Sequence, residues 1–247
     1  MSVNNFSNTI YWTDGKVAAQ TGASAWSVSV WFYHITRDTN AQVFQAFNAG
    51  NNDVFHMFYL NSASVYRTRI DVSVGGDLIC NIAEADVAAD TWHNYILTYD
   101  GSELAVYLNG ANAGDSPIAG GTAVMMDYGA MRIGNNTSLS TPWQGSIAEW
   151  AQYSKVLSAG ERAMLQVLPP IRVARASLVQ YDPLYDNSAK DKSGSGNDGS
   201  WTGTPTFGNN PPLAPPYGYD IGLPYVVAAG GLSIPIAIHH LRQAGGL

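Results

Sequence analysis

The sequence predicts an all-β protein: an antiparallel two-sheet sandwich with one short helix and an extended C-terminal arm. Three observations carry this. Runs of β-branched and aromatic residues recur at regular spacing, with turn-forming clusters between them. The clearest run alternates strictly, with Trp26, Val28, Val30 and Phe32 on one side and Ser27, Ser29, Trp31 and Tyr33 on the other, as in a strand with one face in a core. Polarity comes from Gly, Asn, Ser and Thr more than from charge: charged residues make up 13% of a 247-residue chain that holds seven Trp and fourteen Tyr. That mix suits strands joined by tight turns and disfavours a helical bundle.

The elements follow in order. Residues 6–12, closed by Asp14-Gly15, form the first expected strand, and 26–34 the second. Strands are expected next at 43–47, 54–60, 65–74 and 78–82, separated by turn-rich stretches such as Asn48-Ala49-Gly50-Asn51-Asn52-Asp53 and Asn61-Ser62. Residues 93–99 and 104–108 flank Asp100-Gly101-Ser102, a hairpin signal, and Asn109-Gly110 supplies the positive-φ residues of a type I′ turn. Strands at 131–133 and 147–153 complete the set, with Trp26, Trp92 and Tyr107 as expected core aromatics. Ser158 with Glu161 three residues on is a capping box opening the single expected helix, which Pro169-Pro170 ends.

Composition changes at that point, and the chain divides into a sandwich (1–168), a returning strand and Gly/Ser/Asp loop that completes it (169–204), and a Pro-rich arm (205–247). The returning strand is Leu178-Val179-Gln180-Tyr181 and the loop runs from Asp191 to Gly199. Pro205, Pro211, Pro212, Pro215, Pro216, Pro224 and Pro235 impose an extended, strand-poor path on the arm. Its few charges and its side chains Tyr217, Tyr219, Ile234, Ile236 and Ile238 would expose more apolar surface than a soluble monomer tolerates, so the arm is expected to pack against other copies in a homo-oligomer or larger assembly.

Charge and composition exclude several classes. Net charge is −7, with seven Lys or Arg against fourteen Asp or Glu in residues 1–170 and five of each thereafter. An acidic body without a Lys/Arg cluster repels phosphate backbones, so nucleic acid is not an expected partner. Cys80, the single cysteine, has no internal disulfide partner and reads as a small buried hydrophobe. Residues Met1–Asn5 lack the basic start and apolar run of a signal peptide. The uncharged stretch Ile221–Ile238 is broken by Gly222, Pro224, Gly230-Gly231 and Pro235, so membrane insertion is not expected either.

Ala25-Trp26-Ser27-Val28-Ser29-Val30-Trp31-Phe32 resembles a characteristic strand of laminin-G-like domains. Thr91-Trp92-His93 through Gly101 resembles their Trp-His strand and hairpin, and Leu104 through Gly110 the strand after it. Arg132-Ile133-Gly134, Trp143 through Glu149, and Leu157-Ser158 continue the series in order. This resemblance implies a jelly-roll sandwich of the concanavalin A-like lectin or laminin-G-like kind. Residues 178–207 resemble the segment that usually precedes such a domain; here they follow it, and the strand is expected to pair where an N-terminal strand would otherwise sit. The order, with Ile234-Pro235-Ile236-Ala237-Ile238-His239-His240 near the end, resembles laminin-G-like proteins encoded by tailed bacteriophages. That implies a non-enzymatic virion component (capsid decoration, tail or fibre) whose partners are its own copies and other virion proteins. The alternative is a carbohydrate-binding or adhesion module for cell-surface or environmental glycans.

Glucanases of this fold carry Glu-x-Asp-x-x-Glu, whose alternation places two carboxylates on one strand face. The nearest match, Glu84-Ala85-Asp86 with Asp90, displaces the last acid and reads as a solvated loop, so no catalytic residue is expected. His34, His56 and His93 are scattered, and adjacent His239-His240 point apart in extended chain. Calcium is the one cofactor that the resemblance implies, through rim Asp and Asn oxygens. The candidates are Asp53, Asp100, Asp127, Asn135 and Asn136, each equally explained as a turn former. Sugar binding needs an exposed aromatic platform beside an amide or carboxylate. Trp143 with Asn135 and Asn136 is the best local cluster, although Trp143 reads equally as a core residue entering the next strand; Trp201 and Tyr217-Gly218-Tyr219 are alternatives that read also as anchors of the arm.

Overall fold

The computed structural model describes residues 6–213 except 8, 16–24, 38, 48–52, 71–76, 121–129, 186–187 and 209. They form two antiparallel sheets stacked as a sandwich, with one short α-helix. The strands in chain order are β1 (Tyr11–Gly15), β2 (Trp26–His34), β3 (Ala41–Phe47), β4 (Asp53–Leu60), β5 (Val65–Ile70), β6 (Leu78–Ala83) and β7 (Trp92–Tyr99). They continue as β8 (Glu103–Leu108), β9 (Ala111–Asn112), β10 (Ile118–Ala119), β11 (Ala130–Ile133), β12 (Gly145–Tyr153), β13 (Leu178–Asp182) and β14 (Ser200–Thr202). One sheet has the order β14-β1-β11-β3-β4-β5-β6; the other runs β10-β8-β7-β2-β12-β13, with β9 paired to β8.

Alternation decides what fills the space between the sheets. In β2, Trp26, Val28, Val30 and Phe32 are fully buried in the main core, where Trp26 meets Phe55 across the sandwich at 5.1 Å between ring centroids. Phe44 meets Trp150 in the same way at 5.0 Å. The turn at Asn109-Gly110 has positive φ at both residues (50° and 84°), joining β8 to β9 as its sequence predicts.

The outer face of the β2 sheet is also partly covered, which explains why Ser27 and Ser29 are buried although they point away from the main core. Ile96, Ala151, Tyr153, Leu178 and Tyr181 of that sheet form a second core with Leu157, Leu165, Leu168 and Val173 from the segment that follows β12. Ser27 ties the two together: its Oγ donates to the Lys155 carbonyl at 2.8 Å and accepts from the Leu157 amide at 3.0 Å. Helix α1 (Ala159–Met164) lies in this covering segment, and its capping box is complete, with Ser158 and Glu161 each bonding the other's backbone amide.

Two expectations change, for the first strand and for two aromatic residues. The first strand starts at Tyr11, because Ser7 and Ile10 close a tight turn before it. The returning strand, β13, pairs with β12, and β14, beyond the Gly/Ser/Asp loop, pairs with β1. Trp92 and Tyr107 are only half-buried and lie on the outer face, because Tyr95 and Leu97 take the inward positions of β7; Arg162 covers the Tyr107 ring at 3.8 Å. β5 is described from Val65 to Ile70, and the rest of its expected span, 71–74, lies outside the described residues. The arm residues Tyr217, Tyr219, Ile234, Ile236 and Ile238, with His239-His240, also lie outside them.

Candidate functional site

The expected cluster does not form a platform. Trp143 is 1% exposed, stacked on His34 with ring centroids 4.2 Å apart, and its indole N–H donates to the Tyr33 carbonyl at 3.2 Å. Asn135 is fully buried: its Nδ2 donates to the Ser7 carbonyl, and its Oδ1 accepts from the Asn136 and Thr141 amides. Asn136 bonds the Ser140 amide and hydroxyl through its own side chain. These groups hold a loop together, and the buried Trp143 offers no aromatic face for a ligand. Trp201 is partly buried against the core beside Phe6.

The calcium candidates fare similarly. Asp100 Oδ1 accepts from the Ser102 amide, the Ser102 hydroxyl and the Glu103 amide, at 2.8, 2.9 and 2.8 Å, an Asx-type turn whose bonds lower the carboxyl pKa. Asp127 and the Asp53 side chain lie outside the described residues. Among the described residues no three His, Cys, Asp or Glu side chains gather as a metal-binding group. Cys80 is buried, and burial pushes its thiol up to about 11.

A different cluster lies where β2 leaves the sandwich. Here successive side chains go opposite ways. His34 turns inward, bonds Tyr66 Oη at 2.7 Å, and is driven down to about 4 by burial and then by the nearby Arg37 charge. Arg37 clamps the loop between β6 and β7 onto this strand end: one guanidinium N–H reaches the Val87 carbonyl and another pairs with Glu84 at 3.5 Å. Glu84 also accepts from Tyr59 Oη at 2.6 Å, and the Asp90 amide donates to the His34 carbonyl at 3.2 Å. Glu84 and Asp86 sit on a 3-10 turn and not on a strand face. The bonds from Tyr59 and Arg37 hold the Glu84 carboxyl below its ordinary pKa, the opposite of what a general acid needs.

Tyr33 turns outward and pairs across the strands with Trp92 on one side and Ser146 on the other. The Tyr33 and Trp92 rings are 5.7 Å apart at an interplanar angle of 57°, and both side chains are partly exposed. Tyr33 Oη donates to Asp90 Oδ1 at 3.4 Å. Burial, and then the Asp90 charge, raise the Tyr33 hydroxyl pKa. Ile35, 54% exposed, extends the apolar surface toward the rim. The next row inward is Asn94–Trp31–Ala148, all buried; both amide atoms of Asn94 have no hydrogen-bond partner among the described residues. A clamped loop thus sets a carboxylate beside two aromatic rings. Flat C–H-rich faces can stack on such rings while hydroxyl groups donate to the carboxylate.

A laminin-G-type family model described as the concanavalin A-like lectin/glucanases superfamily matches residues 6–161, well over half of the chain. The chain belongs to this superfamily. No curated protein matches it. Among solved structures, a candidate carbohydrate-binding protein from Bacteroides ovatus ATCC 8483 is similar with a TM-score of 0.61 at 18% identity, over 86% of this chain and 61% of that one. The heptameric SAP-like pentraxin of Limulus polyphemus has a TM-score of 0.51 at 15% identity, over 66% of this chain and 79% of that one. At such identities the likeness is one of fold. This superfamily member spans about three fifths of the length of the Bacteroides protein. Neither the family nor these structures lends support to a phage particle, and no helix among the described residues is long and apolar enough to cross a membrane.

Proposed function

We propose that the chain is a non-enzymatic carbohydrate-binding module that holds a glycan at the rim of its sandwich. One observation carries this: Tyr33 and Trp92, both partly exposed and 5.7 Å apart, with the Asp90 carboxylate within hydrogen-bond reach of the Tyr33 hydroxyl. A pyranose ring has an apolar C–H face and hydroxyl edges, which suit an aromatic platform bordered by an acceptor. Membership in a superfamily of lectins and glucanases supports the reading, as does the carbohydrate binding attached to the Bacteroides neighbour. The site residues come from secondary-structure elements and from a loop pinned by Arg37, so little ordering is left to be lost on binding.

The test is a glycan array probed with the full chain and with Trp92→Ala. The full chain is expected to bind a defined set of glycans, in EDTA as well as in calcium, and the variant to lose at least about tenfold in affinity, as loss of an aromatic anchor does. Binding that survives the substitution unchanged would remove the rim as the site.

A further inference from the structure

The charges around the rim say more about the ligand than the fold does. The loop between β6 and β7 carries Glu84, Asp86 and Asp90. Against it the structure sets three basic groups, Arg37, His34 and His93. None of them offers charge to a ligand. The Arg37 side chain is 15% exposed and is spent on Glu84 and on the Val87 carbonyl. His34 is fully buried, sandwiched against Trp143 and bonded to Tyr66. His93 is buried too, with its ring between the Ala88 carbonyl and the Asn109 amide. Burial lowers the pKa of both histidines, so both are neutral at pH 7. Among the described residues, the group left facing outward beside the aromatic pair is the Asp90 carboxylate, on a protein of net charge −7.

We infer, resting on the glycan reading above, that the Tyr33–Trp92–Asp90 site selects neutral glycans and rejects those carrying carboxylate or sulfate groups. Asp90 accepts from sugar hydroxyls and repels an anionic substituent in the same place. Removing the charge while keeping the shape separates these two effects. Asn serves at position 90, where φ is 53°, because its short amide tolerates the left-handed region.

The experiment is calorimetric titration of the full chain, and of Asp90→Asn, with a neutral oligosaccharide taken from the array and with its counterpart oxidised to the uronic acid at C6. The wild type is expected to prefer the neutral sugar by about tenfold, the scale of one like-charge contact at a partly exposed site. In Asp90→Asn the gap should close, chiefly through tighter uronate binding, and 0.5 M salt should narrow the wild-type gap by about half, as screening requires. Equal or tighter uronate binding by the wild type, with Trp92→Ala still weakening binding, overturns the charge selection and leaves the glycan site standing. A gap that Asp90→Asn does not change also overturns it. Failure to bind any glycan, or binding indifferent to Trp92, overturns both.

Discussion

Two regions of the molecule place carboxyl groups among aromatic rings, and they do opposite things with them. At the rim, Asp90 stands beside partly exposed Tyr33 and Trp92. At the β12–β13 edge, Gln152 Nε2 donates to Gln180 Oε1 at 2.8 Å, and Gln180 Nε2 donates to Asp182 Oδ2 at 3.0 Å, all three side chains being buried. Nearby, Tyr181 Oη donates to Glu149 Oε2 at 2.6 Å, and Glu149 sits at a break in the β12 register with φ of 57°. Burial, then the charge of Asp14, pushes Asp182 up to about 9, and burial pushes Glu149 up to about 7. The edge buries its carboxyls, raising their pKa, and uses them to accept hydrogen bonds between strands; the rim keeps one facing outward. Aromatic and acidic neighbours are therefore no mark of a binding site until exposure is known.

The largest expected effect separates two tryptophans, one in the core and one at the rim. Trp143→Ala empties a site in the core and should cost about 3–5 kcal/mol in urea denaturation, whereas Trp92→Ala should cost under about 1 kcal/mol while weakening glycan binding at least about tenfold. A large stability loss at Trp92 would merge the regions that the account keeps apart.

The next effect is on pH. Because Asp182 is raised from 3.8 to about 9, the folded protein keeps a proton that the unfolded chain releases between those values. Stability contributed by this group is therefore fully present at acid pH and falls as pH rises through that window. Asp182→Asn should flatten the decline in Tm between pH 5 and 9. Glu149, raised from 4.5 to about 7, has the same sign over a narrower range, so Glu149→Gln should flatten the part below pH 7. Unchanged slopes in both variants would mean that these carboxyls are not held as acids. The smallest effect is Ser158→Ala, which removes one half of the capping box and should cost about 1 kcal/mol with no change in glycan binding.

Much of the fold was legible because alternation needs only neighbours in sequence. The Trp26–His34 run declared both its faces, and the Ser158–Glu161 pair declared the helix start. β9, β10 and β14 were not legible, since two or three residues show no period. The sequence named no partner for residues 178–182, because that pairing depends on the covering segment, which packs Leu178 and Tyr181 beside β12. The site was half legible. Alternation put Tyr33 outward, but Trp92 was taken for core by residue type, although the parity fixed by Tyr95 and Leu97 points it out. Trp143 precedes its strand, so no alternation reports on it, and its burial comes from His34, distant in sequence.

The most direct test uses the seven tryptophans as position reports. With ¹⁵N-labelled Trp, a neutral glycan from the array is titrated into the full chain and the indole N–H signals are followed, the Trp92 signal being identified by its loss in Trp92→Ala. The account predicts that the Trp92 signal moves most, with Trp143 and Trp201 nearly still. Movement centred on Trp143 or Trp201 while Trp92 stays in place would contradict it.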